Sequence, residues 1–140
     1  PSGGCLLTEK EFSKKVKDLF LHSAPDKKSL KLLKIGRHFR INSKVKLIVG
    51  RNLQENKRLK RINSKEFIEL SPINTTGPLG LAPVMISAKT LNTCARIVAS
   101  YSDKPKEKVI KILVKCPGRI PSIIAVYKGI QKELFKNLII

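Results

Sequence analysis

The 140-residue sequence has no tryptophan, one methionine, two tyrosines, five phenylalanines and three cysteines. The cysteines, Cys5, Cys94 and Cys116, are too few and too scattered for a disulfide framework. None stands in the C-x-x-C spacing of a zinc site, so no metal is expected. A reducing, cytoplasmic setting follows as the natural expectation. No run approaches the roughly 18 consecutive apolar residues that a membrane span needs, so no membrane partner is expected. The opening PSGGCLLTEKEF has neither the basic n-region nor the apolar stretch of a signal peptide. Lacking an initiator Met, the chain reads as part of something longer, its first residues continuing an upstream linker. The few aromatic rings fall mostly on apolar faces, which argues against single-strand recognition by stacked bases. There is also no carboxylate pair, no histidine cluster and no nucleophile–base constellation, so catalysis by this piece alone is not expected.

Acidic residues are the other scarcity. Asp+Glu total 10 against 29 Lys+Arg, a net charge of +19 with a pI near 10.2. Such an excess repels itself and attracts polyanions, because each neutralised phosphate releases condensed counterions. The charge is concentrated. From Lys27 to Arg61 lie thirteen basic residues and a single acid, Glu55, so this window carries +12 of the total. A merely solvated face mixes signs to gain i,i+4 pairs; this one does not. The candidate RNA-contacting residues are Arg37, His38, Arg40, Lys44, Lys46, Arg51, Lys57, Arg58, Lys60 and Arg61. Without aromatic platforms, backbone and shape recognition of folded RNA fits this composition better than base readout.

Hydrophobic residues make up 41% of the chain, enough for one core of ordinary size. Thr8-Glu9-Lys10-Glu11 matches a capping box and predicts a helix from Glu9 to Leu21, with Phe12, Val16, Leu19 and Phe20 at helical spacing. Asp26 is placed to cap a short helix through Leu33 that stops at Gly36. The period then changes to two, and Arg37–Ile41 and Lys44–Val49 read as a hairpin. A three-residue loop, Asn42 to Lys44, sets Phe39 against Leu47 and Ile41 against Val45 on one side, and Arg40 against Lys46 on the other. Two like charges facing each other are unfavourable unless an anion lies between them, which hints at a phosphate-facing surface. His38 alternates with Phe39 and is expected to point outward beside Arg40, either touching RNA or simply exposed. A helix follows over Arg51–Ile62, capped by Asn52, with Lys57, Arg58, Lys60 and Arg61 on one half and Asn52, Asn56 and Leu59 on the other. Strands are expected at Glu66–Leu70, Ala82–Ser87, Lys108–Val114 and Ser122–Tyr127. A helix from Thr90 would turn Leu91, Cys94, Ala95, Val98 and Tyr101 to one stripe, and a final one over Gly129–Ile140 would align Ile130, Leu134 and Leu138. The fold class is α+β: a single domain with a mixed or antiparallel sheet, flanking helices and an N-terminal helical segment.

Ser2-Gly3-Gly4 begins like the pyrophosphate-gripping loop of PP-loop enzymes, but Leu6 and Leu7 stand where its Asp and Ser belong. Gly77-Pro78-Leu79-Gly80 lacks the Lys and hydroxyl of a P-loop. No cofactor is therefore expected in this piece. Cys5, glycine-flanked and near a helix start, is the one candidate thiol for a chemical role. Cys94 belongs to an apolar stripe and Cys116 to a strand end.

The run Gly36-Arg37-His38-Phe39-Arg40-Ile41, then Ile48-Val49-Gly50-Arg51-Asn52 with Glu55-Asn56, resembles the RNA-binding (R) domain of the NFACT family. Gly77-Pro78, Ala95 to Tyr101-Ser102 and the Lys108–Lys115 strand are similar in order and spacing, while the tail after Pro117 departs from the pattern. Pro1-Ser2-Gly3-Gly4-Cys5-Leu6-Leu7-Thr8 is similar to the segment that joins such a domain to an upstream PP-loop ATPase domain in predicted tRNA thiouridylases. The resemblance implies a linker over 1–35 and an NFACT-R-like domain over 36–140. It also implies tRNA as partner and ATP bound by an upstream sulfur-transferring domain of the same chain. Arg37, Arg40, Arg51, Asn52 and Asn56 are the matched positions, the two asparagines either structural, capping and satisfying buried backbone, or RNA ligands. The alternatives are a sulfur-transfer accessory domain using Cys5, and a protein-interaction or dimerisation domain.

Overall fold

The computed structural model describes residues 5–22, 27–62 and 66–140, with the side chains of 5–11 and 27–29 outside that description. The order is α1 (Cys5–His22), α2 (Lys27–Leu32), β1 (Arg37–Arg40), β2 (Lys46–Val49), α3 (Leu53–Ile62), β3 (Phe67–Pro72), β4 (Gly80–Pro83), α4 (Ala88–Ser100), β5 (Val109–Lys115) and β6 (Ser122–Tyr127). A 3₁₀ helix over Lys132–Leu138 follows. The strands form one antiparallel sheet in the order β1-β2-β4-β3-β5-β6. The α+β fold expected from the sequence is the fold observed.

The β1–β2 hairpin takes the register that the three-residue loop demands. Phe39 pairs with Leu47 and Arg40 with Lys46, and Ile41 N–H donates to Val45 O at 3.0 Å. The cause is local. Asn42 Oδ1 accepts from the backbone N–H of Lys44 and of Val45, both at 2.9 Å, folding the loop around one side-chain amide.

Alternation then divides the sheet into two faces. On one, Phe39, Leu47, Val49, Leu70, Ala82, Ile110, Ile112, Val114 and Val126 pack with Cys94, Ala95, Val98 and Ala99 of α4 and with Phe135. Ser87 caps α4, its hydroxyl accepting from Thr90 N–H. On the other face, Ile48 and Leu81 meet Leu32, Ile35 and Leu59 from the α2 and α3 side. The sheet is therefore covered on both faces around β1, β2 and β4. At β6 the second face is open, leaving Ile123 and Tyr127 exposed.

Several boundaries differ from expectation. Thr8 lies inside α1, which starts at Cys5. The proposed Asp26 cap lies outside the described residues. β4 starts at Gly80, where pairing with Val49 and Leu70 fixes it, and Ser87 caps α4 instead of ending a strand. The last segment is a 3₁₀ helix. Its three-residue turn directs Phe135 and Leu138 to the core and leaves Leu134 in solvent. Beyond it, Ile139 bridges Phe39, and Ile140 N–H donates to His38 O at 3.1 Å.

Candidate nucleic-acid interface

The single acid of the basic window organises the turn before α3. Glu55 is buried and accepts from Gly36 N–H and Arg51 N–H at 3.0 Å, and from Arg51 Nε and Nη2 at 2.9 Å. The Arg51 side chain, with those backbone donors, outweighs burial and holds the carboxyl down to about 2. Gly36, at φ +76°, occupies the left-handed region as it ends the α2 turn, and a Cβ there would press on Val49 O. Asn52 Oδ1 accepts from Glu55 N–H at 2.9 Å, the N-cap expected of it. Asn56 Oδ1 accepts from Leu79 N–H at 3.1 Å, tying α3 to the loop before β4. With Glu55, Asn56 and Leu59 turned inward, the outer face of α3 presents Lys57, Arg58, Lys60 and Arg61, all exposed and spread over about half the cylinder. No acid interrupts that face. Lys44 is likewise exposed at the hairpin tip.

Several other candidates are buried or are engaged by the protein's own carboxylates. His38 is fully buried rather than outward-facing. Its Nε2 donates to Leu32 O at 3.0 Å and Ile35 O at 3.1 Å, and Nδ1 has no partner among the described residues. Burial, reinforced by the charges of Lys46 and Lys15, pushes its pKa down to about 3, so the ring is neutral. Alternation correctly put His38 on the Arg40 side. That side, however, is roofed by helices rather than wetted by solvent.

The Arg40–Lys46 pair is real, but the anion beside it belongs to the protein. Arg40 Nε lies 3.1 Å from both carboxylate oxygens of Asp18 on α1, and Nη2 contacts the same group. Burial works to raise the Asp18 carboxyl, yet Arg40's hydrogen bonds and charge bring it below its ordinary value. Lys46 is pushed down to about 8 by burial and by Arg40, with Asp18 opposing. The hint of a phosphate between these strands is thereby corrected: an internal carboxylate compensates the pair. Arg51 is similarly engaged with Glu55, though its side chain remains partly exposed.

The window thus divides. Lys31, Lys34, Lys44 and the four α3 cations are exposed. Arg40, Lys46 and Arg51 join internal clusters, and the side chains of Lys27 and Lys28 lie outside the described residues.

The fold also assembles cations that a sequence window could not connect. Arg37 places its guanidinium carbon 4.8 Å from the Tyr101 ring centroid, and Tyr101 meets Phe39 edge-on at 5.9 Å. Lys132 Nζ lies 5.8 Å from the same centroid. Three cavities adjoin at Arg37. One of about 360 Å³ is lined by Lys14, Lys15 and Arg51; one of about 320 Å³ by Lys132, Lys136 and Glu133; one of about 350 Å³ by Arg51, Asn52, Thr76, Tyr101 and Asp103.

Among the described residues no group of His, Cys, Asp or Glu could hold a metal, and no helix is long and apolar enough to cross a membrane. Cys94 is buried on the α4 stripe, and burial pushes its thiol up to about 12, far from a reactive thiolate. Cys116 is half-buried. The Cys5 side chain, and with it any chemical role, lies outside the described residues.

A family model described as the NFACT protein RNA binding domain matches residues 36–139. Comparison with curated proteins finds no match. Among solved structures, the C-terminal part of the fibronectin/fibrinogen-binding protein from Streptococcus suis is similar in fold. Its TM-score is 0.61 at 15% identity, covering 76% of this chain and 49% of that one. The chain therefore spans about half the length of that relative.

Proposed function

This chain belongs to the NFACT protein RNA-binding domain family, and from that premise we propose that it grips the phosphate backbone of a folded RNA, tRNA being the best-fitting class. The observation that carries the reading is the outer face of α3. Lys57, Arg58, Lys60 and Arg61 project from it, while the only acid of that helix is turned inward and engaged by Arg51. Four cations on one rigid half-cylinder suit phosphates at the spacing of a folded backbone, fixing orientation with little base readout. Lys44 extends the same chemistry at the hairpin tip. Filter binding of tRNA across a salt series tests the reading. Affinity should fall steeply, with a log–log slope of about 0.7 to 0.9 per phosphate engaged; binding that is absent or indifferent to salt rejects it.

The finer context is a tRNA-thiolating enzyme whose upstream PP-loop ATPase domain binds ATP. That part rests on the resemblance of Pro1–Thr8 alone. The reading frame upstream of Pro1 tests it: a strand followed by S-G-G-x-D-S supports the context, and a different domain there removes it.

A further inference from the structure

We propose that the cavities meeting at Arg37 form a second anion site, separate from the α3 face, that clamps consecutive phosphates of the bound RNA. The proposal rests on the RNA-binding reading and specifies where else the strand is held.

Six cations converge there from four parts of the chain: Lys14 and Lys15 of α1, Arg37 of β1, Arg51 of the turn before α3, and Lys132 and Lys136 of the 3₁₀ helix. Among the described residues the carboxylates lining these cavities are Glu133 and Asp103; Lys15 also donates to Gly36 O, and Arg51's charge is already shared with Glu55. Gathering like charges at one spot costs Coulomb energy that a structural role does not recover. A polyanion does recover it, and a string of phosphates is the polyanion that the family binds.

Arg37 is the organising residue. Among the described residues it meets no carboxylate; its contact is with the face of Tyr101. A guanidinium held over a ring loses little entropy on binding and keeps its in-plane N–H fork for an oxyanion, which a lysine could not offer. Tyr101 is in turn fixed edge-on by the buried Phe39. The Ile139 bridge to Phe39 and the Ile140 bond to His38 O bring the 3₁₀ helix, and so Lys132 and Lys136, to this corner. The cavities, each above 300 Å³, can admit phosphates with their ribose links.

The test uses the full chain. Fluorescence anisotropy with a labelled tRNA across a salt series is read for wild type, Arg37→Gln, Arg37→Lys and Tyr101→Leu. We expect Arg37→Gln to weaken binding about tenfold and lower the salt slope by about 0.7 to 0.9. Arg37→Lys should keep the slope yet lose several-fold in affinity, and Tyr101→Leu should behave like it. In parallel, tripolyphosphate added to the ¹⁵N-labelled chain should move the amides of Gly36, Arg37 and Ile139. If wild type binds tRNA and loses it with the α3 cations, while Arg37→Gln and tripolyphosphate leave this corner unmoved, the second site fails and the RNA-binding reading stands. If wild type does not bind tRNA at all, both fail. Binding of phosphatidylserine vesicles that depends on Arg37, with tRNA affinity unchanged, would assign the site to a membrane surface and also overturn the proposal.

Discussion

Asn56 occupies the space that a side chain on Gly50 would need: an added Cβ would run into its amide oxygen, the same Oδ1 that accepts from Leu79 N–H. Gly50 itself donates to Leu79 O at 3.0 Å. The glycine and the second asparagine of the G-R-N-x-x-x-N run are thus one stereochemical unit, which fixes the start of α3 to the loop entering β4.

Gly50→Ala should therefore displace Asn56 and strand the Leu79 N–H, costing about 2 kcal/mol. Urea denaturation checks this. Asn56→Ala should cost a similar amount, and adding it to Gly50→Ala should cost little more, because the clash and the lost bond are the same event.

Glu55→Gln should destabilise by about 1–3 kcal/mol, since two backbone N–H groups and Arg51 lose a charged acceptor. The pH sign is fixed by the depressed carboxyl. Its folded value of about 2 lies below the ordinary 4.5, so its contribution is complete above pH 4.5. It declines as pH falls, because the unfolded chain takes up the proton first, and is gone below about 2. Denaturation midpoints across that range should show a smaller acid loss in the variant.

His38 acts in a different window. Folded, it titrates near 3 rather than 6.5, so between those values the unfolded chain binds a proton that the fold refuses. Stability should decline as pH drops below 6.5, with a slope of at most about 1.4 kcal/mol per pH unit. His38→Gln, whatever its overall cost, should flatten the profile most between about pH 5.5 and 6.5, where Glu55 contributes little. An unchanged slope there would mean the imidazole is not the group responsible.

Replacing Lys57, Arg58, Lys60 and Arg61 together with Gln should leave stability nearly unchanged, because all four are exposed. The salt slope of RNA binding should fall by about 3 if each meets a phosphate. A slope change below 1 would place the RNA elsewhere on the molecule.

Asp18→Asn should cost about 1–3 kcal/mol, leaving Arg40 and Lys46 opposed without their carboxylate. Adding Lys46→Met should recover part of that loss in a double-mutant cycle. If it recovers nothing, the carboxylate serves only Arg40.

What was legible in the sequence is what depends on near neighbours. Asn42 folds its own loop and thereby sets the hairpin register. Asn52 caps the helix it precedes, and the inward and outward halves of α3 follow from its periodicity. What was not legible depends on which elements cover which. Alternation gave the side of the sheet on which His38 lies, but not that α2 would supply Leu32 O to it. Arg40 and Lys46 were paired correctly, yet their counter-ion comes from Asp18, 22 residues before Arg40. The Arg37 corner joins residues from 14 to 136, and no window can assemble that. The 3₁₀ winding of 132–138 was hidden because its spacing of Ile130, Leu134 and Leu138 also satisfies an ordinary helix.

The short bridge from Ile139 to Phe39 leaves the sheet lopsided in its sociability. Its β1 rim is occupied by the chain's own residues, so a visiting strand finds fewer free backbone partners there. At the opposite rim, β6 borders no further strand among the described residues and carries Ile123 and Tyr127 in solvent. A strand joining this sheet finds more unpaired backbone along β6 than along β1, at the rim opposite the one that carries Arg37.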